Sequence, residues 1–182
     1  NSSNVMQPTI IAVVGASGSG KTYLSKLLQD ELNVFSIISH TTRPKRADET
    51  HGKDYYFIRN IQILPFCDML THTKFGGYEY FALRDQVPPE GYCTYVVDES
   101  GVQALKKLHG HRFRIVTVLV RSNYETLVAR GIDEDRIFRD RTRKQLPEAF
   151  YDFVIDNDGS LTEYEETIRD MYQKIRLWQP QK

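Results

Sequence analysis

The run Gly15-Ala16-Ser17-Gly18-Ser19-Gly20-Lys21-Thr22 follows directly on the apolar stretch Ile10–Val14 and leads into Leu24, Leu27, Leu28 and Leu32 at helical spacing. This order, a buried strand, a glycine-rich turn and an amphipathic helix, restricts the fold more than any other feature of the chain. The turn has the form G-x-x-x-x-G-K-[ST]. Its backbone N–H groups converge at the positive end of the following helix, which makes the loop a cradle for polyphosphate. Gly15 through Thr22 are thus the expected nucleotide-binding loop. Lys21 reaches the outer phosphates and the Thr22 hydroxyl serves as a ligand for Mg²⁺.

The rest of the chain fits a parallel α/β protein. Ile10–Val14, Val34–Ile38, Tyr92–Val97, Ile115–Val120 and Phe153–Ile155 read as strands apolar on both faces. Helices are expected over Thr22–Leu32, Ser100–Leu108, Asn123–Arg130 and Leu161–Trp178. Ser122-x-x-Glu125 and Ser160-x-x-Glu163 match capping boxes at two of the helix starts. The alternation predicts a three-layer α/β fold with a parallel sheet built on the phosphate loop.

Two stretches interrupt the alternation. Residues 40–89 are rich in tyrosine, charge and glycine, with short strands expected over Asp54–Ile58 and Phe75–Leu83, the latter turning at Gly76-Gly77. Residues 131–146 form a short polar, arginine-rich flap. The expected organisation is one domain over 6–182. Its core comprises 6–39, 90–130 and 147–182, with an acceptor-binding insert at 40–89 and a lid at 131–146. Residues 1–5 are expected to be a disordered leader or an expression remnant.

Lys+Arg and Asp+Glu both number 24, so net charge gives no reason to expect a nucleic-acid or membrane partner. No run approaches the ~20 apolar residues of a membrane span. Cys67 and Cys93 lack metal-ligand spacing, and Cys93 sits in a strand as a core residue. The five histidines form no paired ligand motif and read as structural or surface groups. A cytoplasmic protein, monomer or homodimer, is expected.

The segment Ser39-His40-Thr41-Thr42-Arg43-Pro44-Lys45-Arg46, continuing to His51-Gly52-Lys53-Asp54-Tyr55-Tyr56-Phe57, resembles the signature of the guanylate kinases. With the glycine-rich loop before it and Phe153-Val154-Ile155-Asp156-Asn157-Asp158 after it, the resemblance spans nearly the whole chain. It implies ATP-dependent phosphorylation of GMP (and dGMP) to GDP, with Mg²⁺. Arginine forks bind phosphate bidentately, which suits Arg43 and Arg46 to the acceptor phosphate. By resemblance Tyr55 and Tyr80 complete this clamp, and Asn157 lies near the ATP base. Lys21, Arg43, Arg130 and Arg141 are the expected catalytic cations, with Arg136 and Arg139 as further lid candidates.

The resemblance also assigns guanine recognition to Ser39 and Asp98. The family's glutamate falls on Asp68, with Glu79 the other candidate, and its second serine falls on Ala82. Val96 replaces an aspartate two residues before Asp98, which leaves Asp98 with either the base or the hydrated metal to serve. Two other readings stay open at this point. One is a kinase for another small phosphate acceptor, such as a different nucleotide or a ribose phosphate. The other is a non-catalytic interaction module of the same fold.

Overall fold

A computed structural model describes residues 7–59 and 68–178, so the leader at 1–5 and Cys67 lie outside the described residues. A five-stranded parallel sheet forms the centre. Its strands are β1 (Thr9–Val14), β2 (Phe35–Ile37), β7 (Tyr92–Val96), β8 (Arg114–Arg121) and β9 (Phe153–Asp156), in the spatial order β2-β7-β1-β8-β9. β1 is buried along its whole length and pairs on both sides, Thr9 with Tyr92 and with Arg114. Its apolar side chains therefore feed both layers of the core, which explains a run with no polar alternation.

Helices α1 (Lys21–Leu32) and α5 (Leu161–Leu177) cover one face of the sheet. Leu24, Leu28, Ile168 and Ile175 are fully buried there. Truncating any one of them to alanine removes packing of a kind that typically contributes about 2–5 kcal/mol. Helix α2 (Glu99–His109) covers the other face, where Val102 and Leu105 pack with Ile10, Ala12 and Val14. These are the three layers expected from the sequence.

Four short strands make a second sheet in the order β4-β3-β6-β5: β3 (His40–Thr41), β4 (Tyr56–Phe57), β5 (Met69–Phe75) and β6 (Tyr78–Leu83). β5 and β6 form a hairpin whose turn residues Gly76 and Gly77 have φ of 60° and 82°. Two consecutive positive φ values define the primed turn that matches strand twist, and glycine adopts them without strain. The expected hairpin is present, but its first strand begins at Met69, six residues before Phe75. The strand expected over Asp54–Ile58 shortens to Tyr56–Phe57, because the Asp54 carboxylate accepts the Thr50 N–H at 2.7 Å and closes a turn instead.

Two short helices, α3 (Tyr124–Ala129) and α4 (Glu134–Thr142), follow β8. The cap of α3 is Asn123, whose side chain accepts the Thr126 N–H at 2.9 Å, and not Ser122 as the capping-box pattern predicts. The Ser122 hydroxyl is already committed, donating to the Asn157 carbonyl at 2.6 Å and accepting from Arg130 at 2.9 Å. Ser160 does cap α5, accepting the Glu163 N–H at 3.1 Å. Among the described residues no helix is long and apolar enough to cross a membrane, and no group of His, Cys, Asp and Glu is arranged to hold a metal ion.

Candidate active site

The glycine-rich loop leaves the C-terminal end of β1, the edge where open parallel sheets bind ligands. Its path demands glycine at specific points. A Cβ on Gly15 would lie 2.4 Å from the Val120 carbonyl oxygen, and one on Gly20 would lie 2.7 Å from Asn157 Nδ2 at a φ of 109°. Gly20 also caps α1 without any side-chain hydrogen bond, so the first N–H groups of the helix are left to the loop's interior. The loop is buttressed from behind. Asn157 Nδ2 donates to the Ser19 carbonyl at 2.8 Å, and the Tyr164 hydroxyl donates to the Gly20 carbonyl at 2.6 Å.

Lys21 folds back over the loop, donating to the Gly15 carbonyl at 2.7 Å. Burial is the main cause holding its ammonium below the usual lysine value, and the nearby Arg143 adds to it. A partly desolvated cation without a fixed anionic partner gains most from an incoming phosphate.

The loop divides two cavities. The first, about 380 Å³, has Gly15 and Lys21 on one wall and Arg43, Arg46, Tyr55 and Tyr80 on the other. Ser39, Thr71, Thr73, Tyr95 and Asp98 also line it, and Arg136 and Arg143 reach in from the lid side. Five cations thus share one cleft with Asp98, an arrangement suited to polyphosphate anions. The second cavity, about 310 Å³, lies on the loop's other side between Tyr23, Arg130, Asn157, Leu161 and Tyr164.

The residues opposite Lys21 are ordered by their own contacts. Arg43 makes a two-pronged ion pair with Glu49 at 2.8 and 2.7 Å, and its guanidinium lies 5.4 Å from the Tyr55 ring centroid. Glu49 also accepts the Arg46 N–H at 2.8 Å, so one carboxylate orders both arginine-bearing positions. These contacts push the Glu49 carboxyl down to about 2. The Tyr55 and Tyr80 rings meet edge-on at 5.9 Å, and burial is the main cause raising the Tyr55 hydroxyl above its ordinary value.

The segment 131–146, expected as a lid, is tied down on this cleft. Asp140 on α4 accepts the Ser17 N–H at 3.0 Å. Arg143, just past the helix, lies 3.5 Å from Asp140 and grips the buried Glu99 at 2.9 and 3.0 Å.

Of the residues singled out from the sequence, Gly15, Lys21, Ser39, Arg43, Arg46, Tyr55, Tyr80 and Asp98 meet in the first cleft. Ala16, Ser17, Ser19 and Thr22 belong to the loop itself, and Thr22 is exposed at the head of α1. Gly18, Gly20, Arg130 and Asn157 line the second cavity. Arg130 is held there by the Gly18 and Asn157 carbonyls at 2.7 and 2.8 Å.

Two expected residues lie elsewhere. The Asp68 side chain is 55% exposed and lies 3.9 Å from Arg84, since the residue precedes β5, whose Thr71 and Thr73 line the cleft. Arg141 stacks 5.6 Å from the Tyr124 ring, outside the lining of either cavity. Glu79, the other carboxylate candidate, faces the opposite side of the hairpin and pairs with His72 at 3.1 Å. Reading the sequence missed Arg143, Asp140, Glu99 and Thr71. Only Thr71 left a usable signal: counting back from the Gly76-Gly77 turn places it opposite Ala82.

A parallel sheet in this order, with a glycine-rich loop at the end of its central strand, defines a nucleotide-binding α/β protein of the phosphate-loop class. Comparison with known proteins narrows the class. The guanylate kinase family model matches residues 6–175, and the chain belongs to the guanylate kinase family. It is 30% identical to the guanylate kinase of Blochmanniella floridana over 169 residues, 82% of this chain and 79% of that one. It is 30% identical to that of Porphyromonas gingivalis over 186 residues, covering 91% and 97%. The pig guanylate kinase is 38% identical over 109 residues, so the chain spans about half the length of that relative, 55% of each. The fold agrees with a guanylate kinase structure from Anaplasma phagocytophilum, with a TM-score of 0.66 over 97% of this chain and 90% of that chain at 23% identity.

Proposed function

We propose that this protein transfers the γ-phosphoryl group of ATP to GMP (and dGMP), yielding ADP and GDP. The observation that carries the reading is the pairing of Lys21 with the Arg43–Arg46–Tyr55–Tyr80 clamp across one cleft. Phosphoryl transfer needs two anions held in line and their charge neutralised, with little covalent work from the protein. ATP places its phosphates on the N–H groups of residues 15–22 and its nucleoside in the cavity beside Arg130, Asn157 and Tyr164. The GMP phosphate lies on Arg43, Arg46, Tyr55 and Tyr80, with Ser39 and Asp98 towards the base.

The Thr22 hydroxyl would hold the Mg²⁺ that accompanies the nucleotide, where the ion would neutralise phosphate charge. The exposed position of Thr22 at the head of α1 supports this, and so does the phosphate-rich shell magnesium prefers. Charge on the transferring group is neutralised by Lys21 and by the lid arginines that line the cleft, Arg136 and Arg143. Arg130 holds the loop and the donor nucleotide. The working unit is a single domain, with an acceptor-binding insert at 40–89 and a lid at 131–146. It acts as a monomer or homodimer in the cytoplasm, where ATP is plentiful and the thiol of buried Cys93 stays reduced.

The test is ADP release in the presence of ATP, Mg²⁺ and each of GMP, dGMP, AMP and CMP. GMP and dGMP are expected to turn over at rates typical of kinases, about 1–100 s⁻¹. Absence of turnover with GMP overturns the reading.

A further inference from the structure

Guanine offers two adjacent donors, N1–H and the 2-amino group, beside the O6 acceptor. Two adjacent donors are matched by a carboxylate with both oxygens available. Every aspartate and glutamate of this chain falls within the described residues, and those around the cleft are engaged elsewhere. Both oxygens of Glu49 are on Arg43. Glu79 faces away with His72, Glu99 holds Arg143, and Asp140 is on the Ser17 N–H. Asp98 is the one carboxylate among the cleft-lining residues. Its Oδ1 already accepts the Gly101 N–H at 2.7 Å and the Ser100 hydroxyl at 3.0 Å as the cap of α2. One oxygen is left.

The floor of the cleft is instead built of hydroxyls. Tyr95, 2% exposed, hydrogen-bonds Thr71 and also interacts with the Ser39 hydroxyl. Burial pushes the Tyr95 phenol up to about 12, so it stays protonated. Ala82 and Val96 flank this trio with no polar group. A hydroxyl both donates and accepts and rotates to suit its partner. Such a floor meets O6 and N1–H, and for the 2-amino group the cleft keeps a single Asp98 oxygen in place of the two-oxygen carboxylate that would hold N1–H and the amino group together.

We propose that the acceptor subsite reads the 6-oxo edge of a purine through Ser39, Thr71 and Tyr95 and discriminates only weakly at the 2-amino group. The acceptors are then 6-oxopurine nucleoside monophosphates as a class, IMP beside GMP, and Thr71 is the position that sets this breadth. The inference rests on the phosphate-acceptor reading given above. Sites built to hydrogen-bond a substrate group reject analogues lacking it by about 10⁴–10⁵. Where that contact is absent or shared with water, the two substrates differ by about tenfold or less.

The experiment measures kcat/KM for GMP and IMP at saturating ATP–Mg²⁺. The two values are expected to agree within about tenfold. A preference for GMP above about a hundredfold overturns this inference and leaves GMP kinase activity standing. Turnover of neither overturns both readings. Thr71→Glu, which brings a carboxylate to the floor, is expected to raise the GMP-to-IMP ratio by at least about tenfold. An unchanged ratio in a folded variant removes Thr71 from the assignment. Thr71→Val keeps the shape and is expected to lower kcat/KM for both nucleotides by the same factor. A selective loss for GMP overturns the proposal.

Discussion

The carboxylate of Asp140 on the lid helix accepts the backbone N–H of Ser17 at 3.0 Å, so a side chain of the protein sits where the glycine-rich loop receives an anion. The same carboxylate lies 3.5 Å from Arg143, which in turn grips Glu99 at the start of α2. Loop, α4 and core are thus joined by one chain of polar contacts, and under the proposed function a nucleotide phosphate would replace Asp140 on the Ser17 N–H.

Removing the competitor should favour the nucleotide. Asp140→Ala is expected to lower the ATP KM by about three- to tenfold, the size of one ordinary hydrogen bond exchanged for water. Steady-state kinetics at varied ATP checks this, and an unchanged KM shows that Asp140 does not compete.

Lys21 is held only by its own loop carbonyl and faces the cleft. Lys21→Ala should cut kcat by about 10²–10³, the usual cost of deleting one donor to developing charge. The helix content should not change, because the ammonium makes no contact that orders α1. Circular dichroism and turnover, measured on the same sample, separate the two.

The lid arginines should differ according to where they point. Arg136→Ala is expected to lower kcat by at least about a hundredfold, in keeping with arginines that meet a transferring phosphoryl group. Arg141→Ala, which only unstacks Tyr124, should stay within about threefold, as surface substitutions do. The reverse order would place Arg141 on the substrate in the closed state.

Acid should loosen the acceptor clamp through Glu49. Its carboxyl is depressed to about 2 from an ordinary 4.5, chiefly by the Arg43 hydrogen bonds. A depressed carboxylate contributes stability that is complete above its unfolded value and lost as pH falls through the folded one. Denaturation midpoints of wild type and Glu49→Gln should therefore differ most at neutral pH and converge as pH falls from 4.5 towards 2. A gap that persists at pH 2 would assign the effect to packing.

The core of the fold was legible because its strands are buried on both faces. Ile10–Val14 and Tyr92–Val97 each lie within a residue of the observed β1 and β7. The hairpin was half legible. Gly76-Gly77 announces its turn, but Met69, Leu70 and Thr71 are all buried, so β5 carries no alternation to mark which face meets the cleft. The resemblance puts the family's glutamate on Asp68, whereas Thr71 is the residue of this stretch that lines the cleft.

The placement of the arginines in 131–146 is not legible for a related reason. Which arginines face the cleft depends on where Ile137, the buried residue of α4, seats the helix. Arg143 lies in extended backbone beyond the helix end, where helical spacing has no bearing. The Ser122 cap was misread because its hydroxyl is claimed by Asn157 and Arg130, partners distant in sequence.

Thr71 belongs to the small sheet and Tyr95 to the large one, and their hydroxyl contact is a seam between the two. Gln86 adds a second stitch by donating to the Ile38 carbonyl at 2.8 Å. On the acceptor reading proposed above, the groups that judge the base are among those that fasten one half of the molecule to the other. A lineage cannot retune its substrate at Thr71 without also testing the joint, so acceptor choice and structural integrity are inherited together.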